Sequence, residues 1–135
     1  RFKSVTELEG LTSEEQYDYW QKQFSKCIHC YACRNACPAC NCTECYADQY
    51  RVGWQGKQID KAENQVYGLT RAFHVGDRCI ECGERVCPMG LPIMSQTRKI
   101  LKDINDLWGS YECGLPTSRP HILGEFDLSD RDDFM

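Results

Sequence analysis

The chain has 135 residues, enough for one small domain with arms, and carries a formal net charge of −4 and 11 cysteines. Its mild acidity makes nucleic acid and anionic membranes poor partners, and no stretch is long and apolar enough to cross a bilayer. Cysteine supplies much of the apolar fraction, so the core is thin, and metal ligation is a common substitute for a large core.

Residues 1–11 carry little signal. A helix is predicted from Thr12, because Thr12 and Glu15 have capping-box spacing and Glu14 suits the positive helix end. Tyr17, Trp20 and Phe24 repeat at helical spacing and should pack onto the cysteine-rich segment beyond them.

That segment begins with Cys27, Cys30, Cys33 and Cys37-Pro38, a C-x2-C-x2-C-x3-C-P run. Three thiols spaced three apart let one short loop wrap three corners of a cubane iron–sulfur cluster. The fourth ligand then comes from elsewhere in the chain. Cys40, Cys42 and Cys45 come directly after the run. Gly53, Trp54 and Gly56 mark a turn in the connector over residues 46–63. A short helix is predicted over Asn64–His74, with Val66, Leu69 and Phe73 on one side. His74 is read as a packing or hydrogen-bonding residue, and His29 as a spacer that modulates its surroundings.

A second motif contains Cys79, Cys82 and Cys87-Pro88. It lacks a middle cysteine and is two residues short, with Glu84 and Arg85 where the thiol would stand. Arginine cannot ligate iron, and a carboxylate would be an unusual donor. A strong helix comes next, with Pro92 near its first turn. Its inward stripe is Ile93, Thr97, Ile100, Leu101, Ile104, Leu107 and Trp108, and Gly109 is its stop. From Ser110 the chain has no periodicity, and Pro116, Pro120 and Gly124 favour an extended arm. Glu125, Asp127, Asp130, Asp132 and Asp133 make the arm either a solvated tail or a docking element.

An odd cysteine count without a secretory-type segment argues against a disulfide scaffold. Zinc explains isolated Cys-x2-Cys pairs but not why Cys33 and Cys37-Pro38 continue in register. Iron–sulfur ligation explains the whole run.

Residues 27–92 resemble the bacterial-type dicluster ferredoxin domain. The resemblance extends to iron–sulfur electron-transfer subunits of anaerobic oxidoreductases: beta subunits of formate dehydrogenases and of coenzyme F420-reducing hydrogenases, and small proteins associated with heterodisulfide reductase-like complexes. It is carried by Cys27 to Pro38, by Cys40, Cys42 and Cys45, by Leu69 to His74, by Arg85 to Pro92 and by Trp108 to Gly114. The shortened second motif departs from the family pattern.

The resemblance implies a small, cluster-stabilised α+β fold: a dicluster ferredoxin-like core with flanking helices and an extended C-terminal arm. The expected divisions are an N-terminal arm and helix over 1–26, a dicluster domain over 27–92 with a Cys-rich insertion over 38–78, a packing helix over 93–109, and the arm over 110–135. Two [4Fe-4S] clusters are implied. By the ferredoxin crossover, Cys27, Cys30, Cys33 and Cys87 hold cluster one, and Cys37, Cys79 and Cys82 hold cluster two. Cys40, Cys42 or Cys45, with Cys113 as an outside candidate, supplies the remaining donor or part of a third cluster. Lys26, Arg34, Arg78 and Arg85 flank ligands, where positive charge raises a cluster's potential.

A cubane held by four thiolates has no open iron site. The sequence shows no nucleophile–base constellation, phosphate loop or paired carboxylates set for acid–base work. The expected role is therefore a non-catalytic electron-transfer subunit, relaying single electrons between a catalytic subunit and a second redox protein. The setting is a cytoplasmic, anaerobic hetero-oligomer without membrane insertion. There is no room for a flavin domain, so F420 reduction by this chain alone is not expected. Two alternatives are a zinc-stabilised interaction module and an iron–sulfur redox sensor. The sensor needs a DNA- or effector-binding element that the sequence does not show.

Overall fold

Thr12 forms the full capping box with Glu15, and α2 runs from it over Ser13–Phe24. This computed structural model describes residues 1–118 apart from 57 and 84. Ahead of α2 lies α1, Lys3–Glu9. After it come the four-residue α3, Ala32–Asn35, a 3-10 turn at Tyr46–Asp48, α4 over Lys61–Gly76 and α5 over Ile93–Trp108. Asp60 starts α4 by accepting from the backbone N–H groups of Ala62 and Glu63. Gly109, at φ 91°, ends α5.

The α+β expectation is corrected: the described residues contain helices and turns and no strand. A strand needs a run of β-branched or aromatic residues at period two. Here the segments flanking the cysteine loops are instead the capped helices α2, α4 and α5, and the loops are rich in Cys, Gly and Pro. The acidic positions 125–133, Glu84 and the arm beyond 118 lie outside the described residues.

The helices α4 and α5 form the main packing pair, with α2 laid on α4 and α1 on α5. Glycines permit both α4 contacts. A Cβ at Gly68 would fall 2.2 Å from the Phe24 ring, and one at Gly76 would fall 2.9 Å from Ile100. Val5, Val75, Thr97 and Leu101 are fully buried. Burying an aliphatic side chain of this kind contributes about 1.5–3 kcal/mol. The helix α1 was not expected from the sequence. It buries Val5 and is tied to α5 by Glu9, which pairs with Lys99 at 2.9 Å and Lys102 at 3.4 Å.

The inner face of α4 also differs from expectation. Val66, Leu69 and Phe73 are 53%, 51% and 69% exposed, whereas Asn64, Tyr67, Ala72 and Val75 are buried. No helix among the described residues is long and apolar enough to cross a membrane.

Candidate metal centre

Both Cys-x2-Cys segments fold into the same turn. The residue before the second cysteine is left-handed in each: His29 at φ 50° and Glu81 at φ 58°. Such backbone costs roughly 1–3 kcal/mol for a non-glycine residue and persists only where the surroundings hold it. The result is an N–H aimed at sulfur. The Glu81 amide donates to Cys79 Sγ at 3.3 Å, and the His29 amide does the same for Cys27. The surroundings are visible at Glu81, whose carboxylate takes Arg98 and Arg1, each at 2.9 Å. The second motif is thereby clamped to α5 and to the start of the chain.

The first loop is clamped from α4. Asn64, 1% exposed, donates through Nδ2 to the Phe24 carbonyl at 2.9 Å and the Cys27 carbonyl at 3.2 Å. One turn on, the Tyr67 hydroxyl lies 3.6 Å from Cys33 Sγ, and Arg71 Nη2 donates to the Cys33 carbonyl at 2.9 Å. Tyr31, also left-handed, opens α3 and carries the Arg34 guanidinium over its ring at 4.8 Å. Arg34 in turn pairs with Asp48 at 2.7 Å.

The thiols line two adjoining cavities. Cys27, Cys30, Cys33 and Cys87 stand around one, with Tyr67 and Asn64. Cys37, Cys79 and Cys82 stand around the other, with Cys33 again in its wall and Arg78 and Val75 behind. Cys40, Cys42 and Cys45 meet three separate partners. Cys40 lies against Cys37, to whose carbonyl its amide donates at 3.1 Å. Cys42 Sγ is 3.2 Å from His74 Nε2, and Cys45 lies at Arg34. Cys113 sits by Tyr111. The His29 ring stacks on Tyr31 and leaves a buried Nε2 without a hydrogen-bond partner among the described residues.

Burial pushes the Cys27 and Cys79 thiols up, with further thiols as neighbours, and it pushes Cys40 up to about 11. Crowded soft donors of this kind ionise fully only beside a cationic centre. Among the described residues, no three His, Cys, Asp or Glu side chains converge closely enough to hold a single metal ion. The donor set is soft thiolate, spread around cavities and reached by backbone N–H groups. It fits a pair of iron–sulfur clusters.

Sequence reasoning missed Asn64, Tyr67 and Arg71. Their spacing of three and four residues was available as a helical face. Their polarity pointed outward, because nothing in the sequence marks a polar cavity on that side.

The comparisons with known proteins agree with the cluster fit. Residues 26–92 match the family described as 4Fe-4S dicluster domain. Over 115 residues the chain is 33% identical to the F420-dependent formate dehydrogenase subunit beta of Methanocaldococcus jannaschii, a match that covers 82% of this chain and 30% of that protein. Over 35 residues it is 51% identical to the F420-dependent formate dehydrogenase 1 subunit beta of Methanococcus maripaludis, covering 24% of this chain and 9% of that one. The chain thus spans under a third of the length of these curated relatives. No solved structure matches. Over residues 26–92 the chain belongs to the 4Fe-4S dicluster domain family, and two [4Fe-4S] clusters are its implied cofactors.

Proposed function

We propose that the chain is an iron–sulfur electron-transfer subunit of an oxidoreductase complex of the formate dehydrogenase type. It relays single electrons between a catalytic subunit and a second redox carrier, in a cytoplasmic, anaerobic hetero-oligomer. The observation that carries this reading is the shared wall: Cys33 borders both thiol cavities, so the two sites stand next to each other. When bound, the clusters supply one-electron redox chemistry without an open coordination site for substrate.

In this reading Cys27, Cys30, Cys33 and Cys87 hold one cluster. Cys37, Cys79 and Cys82 begin the ligand set of the other, and Cys40 completes it, because it is the extra cysteine lying against Cys37. Cys42, Cys45 and Cys113 stay outside both sets. The His29 and Glu81 amides donate to ligand sulfur, and Tyr67 does so from α4. Asn64 fixes where the first loop leaves α2, and Arg98 and Arg1 fix the second loop through Glu81.

The test is a reductive titration of the anaerobically purified chain. Two one-electron steps, with the electrons returned to an added acceptor, are expected. A colourless, zinc-containing protein with no reductive step would reject the reading in favour of a structural metal module.

A further inference from the structure

Arg71 is the charged residue that lines both sites, together with Cys33 and Ile93. Its side chain lines the first cavity and the second, a position shared among the cysteines by Cys33. It reaches there from α4, and Nη2 donates to the Cys33 carbonyl at 2.9 Å. Its Nε is buried and has no hydrogen-bond partner among the described residues.

Three other arginines around the loops are paired. Arg34 meets Asp48 at 2.7 Å, Arg78 meets Asp77 at 3.8 Å, and Arg98 meets Glu81 at 2.9 Å. No carboxylate pairs with Arg71 among the described residues. A half-buried guanidinium with an empty donor is costly unless an anion stands opposite it. Cysteines share its surroundings: Cys33 lines both cavities with it, and Cys40 lies within reach of its charge. Thiolate-ligated iron–sulfur clusters carry net negative charge, which increases on reduction.

We infer that Arg71 is a positioning residue that sets a fixed positive charge between the two clusters and raises the reduction potential of both. The inference rests on the two-cluster reading above. It differs from that reading in naming one side chain that acts on both sites at once. A residue that only held the Cys33 carbonyl would support one loop and leave the potentials alone.

The experiment uses the full chain, purified anaerobically as wild type, Arg71→Gln and Arg71→Lys. Iron and acid-labile sulfide are quantified, and both midpoint potentials are read by EPR-monitored redox titration. Both potentials should move to more negative values in Arg71→Gln and stay near wild type in Arg71→Lys, at unchanged iron content. A Gln variant in which one or neither potential moves overturns the inference, and so does a Lys variant shifted as far as the Gln variant. If Arg71→Gln loses its clusters, Arg71→Lys decides. Two clusters at wild-type potentials support the charge bridge; loss of either cluster overturns it. A wild-type chain without iron and sulfide rejects the two-cluster reading itself, and this inference with it.

Discussion

The hydroxyl of Tyr67 stands 3.6 Å from the sulfur of Cys33, across 34 residues of sequence. Tyr67 is 5% exposed, and burial, followed by the neighbouring Cys33, holds its hydroxyl well above the ordinary phenol range. It therefore stays protonated and serves as a donor to sulfur. Such a bond favours the more negative, reduced state of a ligated cluster. Tyr67→Phe should lower one midpoint potential by about 40 mV, equivalent to about 1 kcal/mol for a one-electron couple. Redox titration followed by EPR measures it. Two unmoved potentials would remove Tyr67 from the set of tuning residues.

Asn64 links two segments that would otherwise leave α2 independently. Replacing it with Leu keeps the side chain's heavy-atom count and branching but strips the Asn64 donor from the Phe24 and Cys27 carbonyls. The Phe24 carbonyl keeps the Cys27 amide at 2.9 Å, so the Cys27 carbonyl is the acceptor that loses its donor. A buried acceptor left without a partner costs about 1–3 kcal/mol. Asn64→Leu should therefore lower stability by about 1–3 kcal/mol. It should also lower the temperature at which the visible absorbance of the clusters bleaches. An unchanged bleaching temperature would mean that these two bonds do not hold the loop.

These two residues also show what was legible in the sequence. The capped start of α2, the stop at Gly109 and the cysteine runs were readable because local rules decide them. The inner face of α4 was not, because apolar periodicity picked out Val66, Leu69 and Phe73, which are more than half exposed. The true inner face carries Asn64, Tyr67 and Arg71, since the space it covers is a thiol cavity that needs donors. The helix α1 was missed because a seven-residue segment with a single buried anchor, Val5, has too little pattern to read. Strands were expected from resemblance alone, and the local signals for helix overrode them.

The close approach of α2 to α4 depends on Gly68. A methyl group there would lie 2.2 Å from Phe24 Cε1, so the ring must move. Alanine gains about 1 kcal/mol of helix propensity over glycine. Overpacking against a well-seated aromatic costs about 1–3 kcal/mol. Gly68→Ala should therefore be neutral to destabilising by up to about 2 kcal/mol, with faster amide exchange at the end of α2. Clear stabilisation with unchanged exchange would show that Phe24 yields at no cost.

Glu9 makes the docking of α1 pH-dependent. Lys99, joined by Lys102, holds its carboxyl below the ordinary value of 4.5. A depressed carboxyl contributes stability that is present above the unfolded value and is lost as pH falls through the folded one. At pH 7, Glu9→Gln should speed amide exchange in Lys3–Glu9 relative to wild type. Well below the ordinary carboxyl value of 4.5 the two proteins, compared at equal pH, should converge. An equal difference at both pH values would show that the Glu9 charge does not hold α1.

The loop from Cys37 to Asp48 is anchored at its far end by the Arg34–Asp48 pair, at 2.7 Å. Asp48→Ala removes that anchor beside Cys45. Limited proteolysis should then cut within residues 40–52 several-fold faster, at unchanged iron content, because Cys45 is outside both proposed ligand sets. Iron loss in Asp48→Ala would instead place Cys45 among the ligands.

In the proposed reading, two thiol-lined cavities sharing Cys33 hold two cubane clusters. The most direct measurement is anaerobic quantitation of iron and acid-labile sulfide, with EPR of the fully reduced chain. Two clusters predict iron and sulfide at the content of two [4Fe-4S] centres, and a reduced spectrum broadened by interaction between neighbouring spins. A chain holding zinc without sulfide, or one cluster with an isolated-spin spectrum, would contradict it.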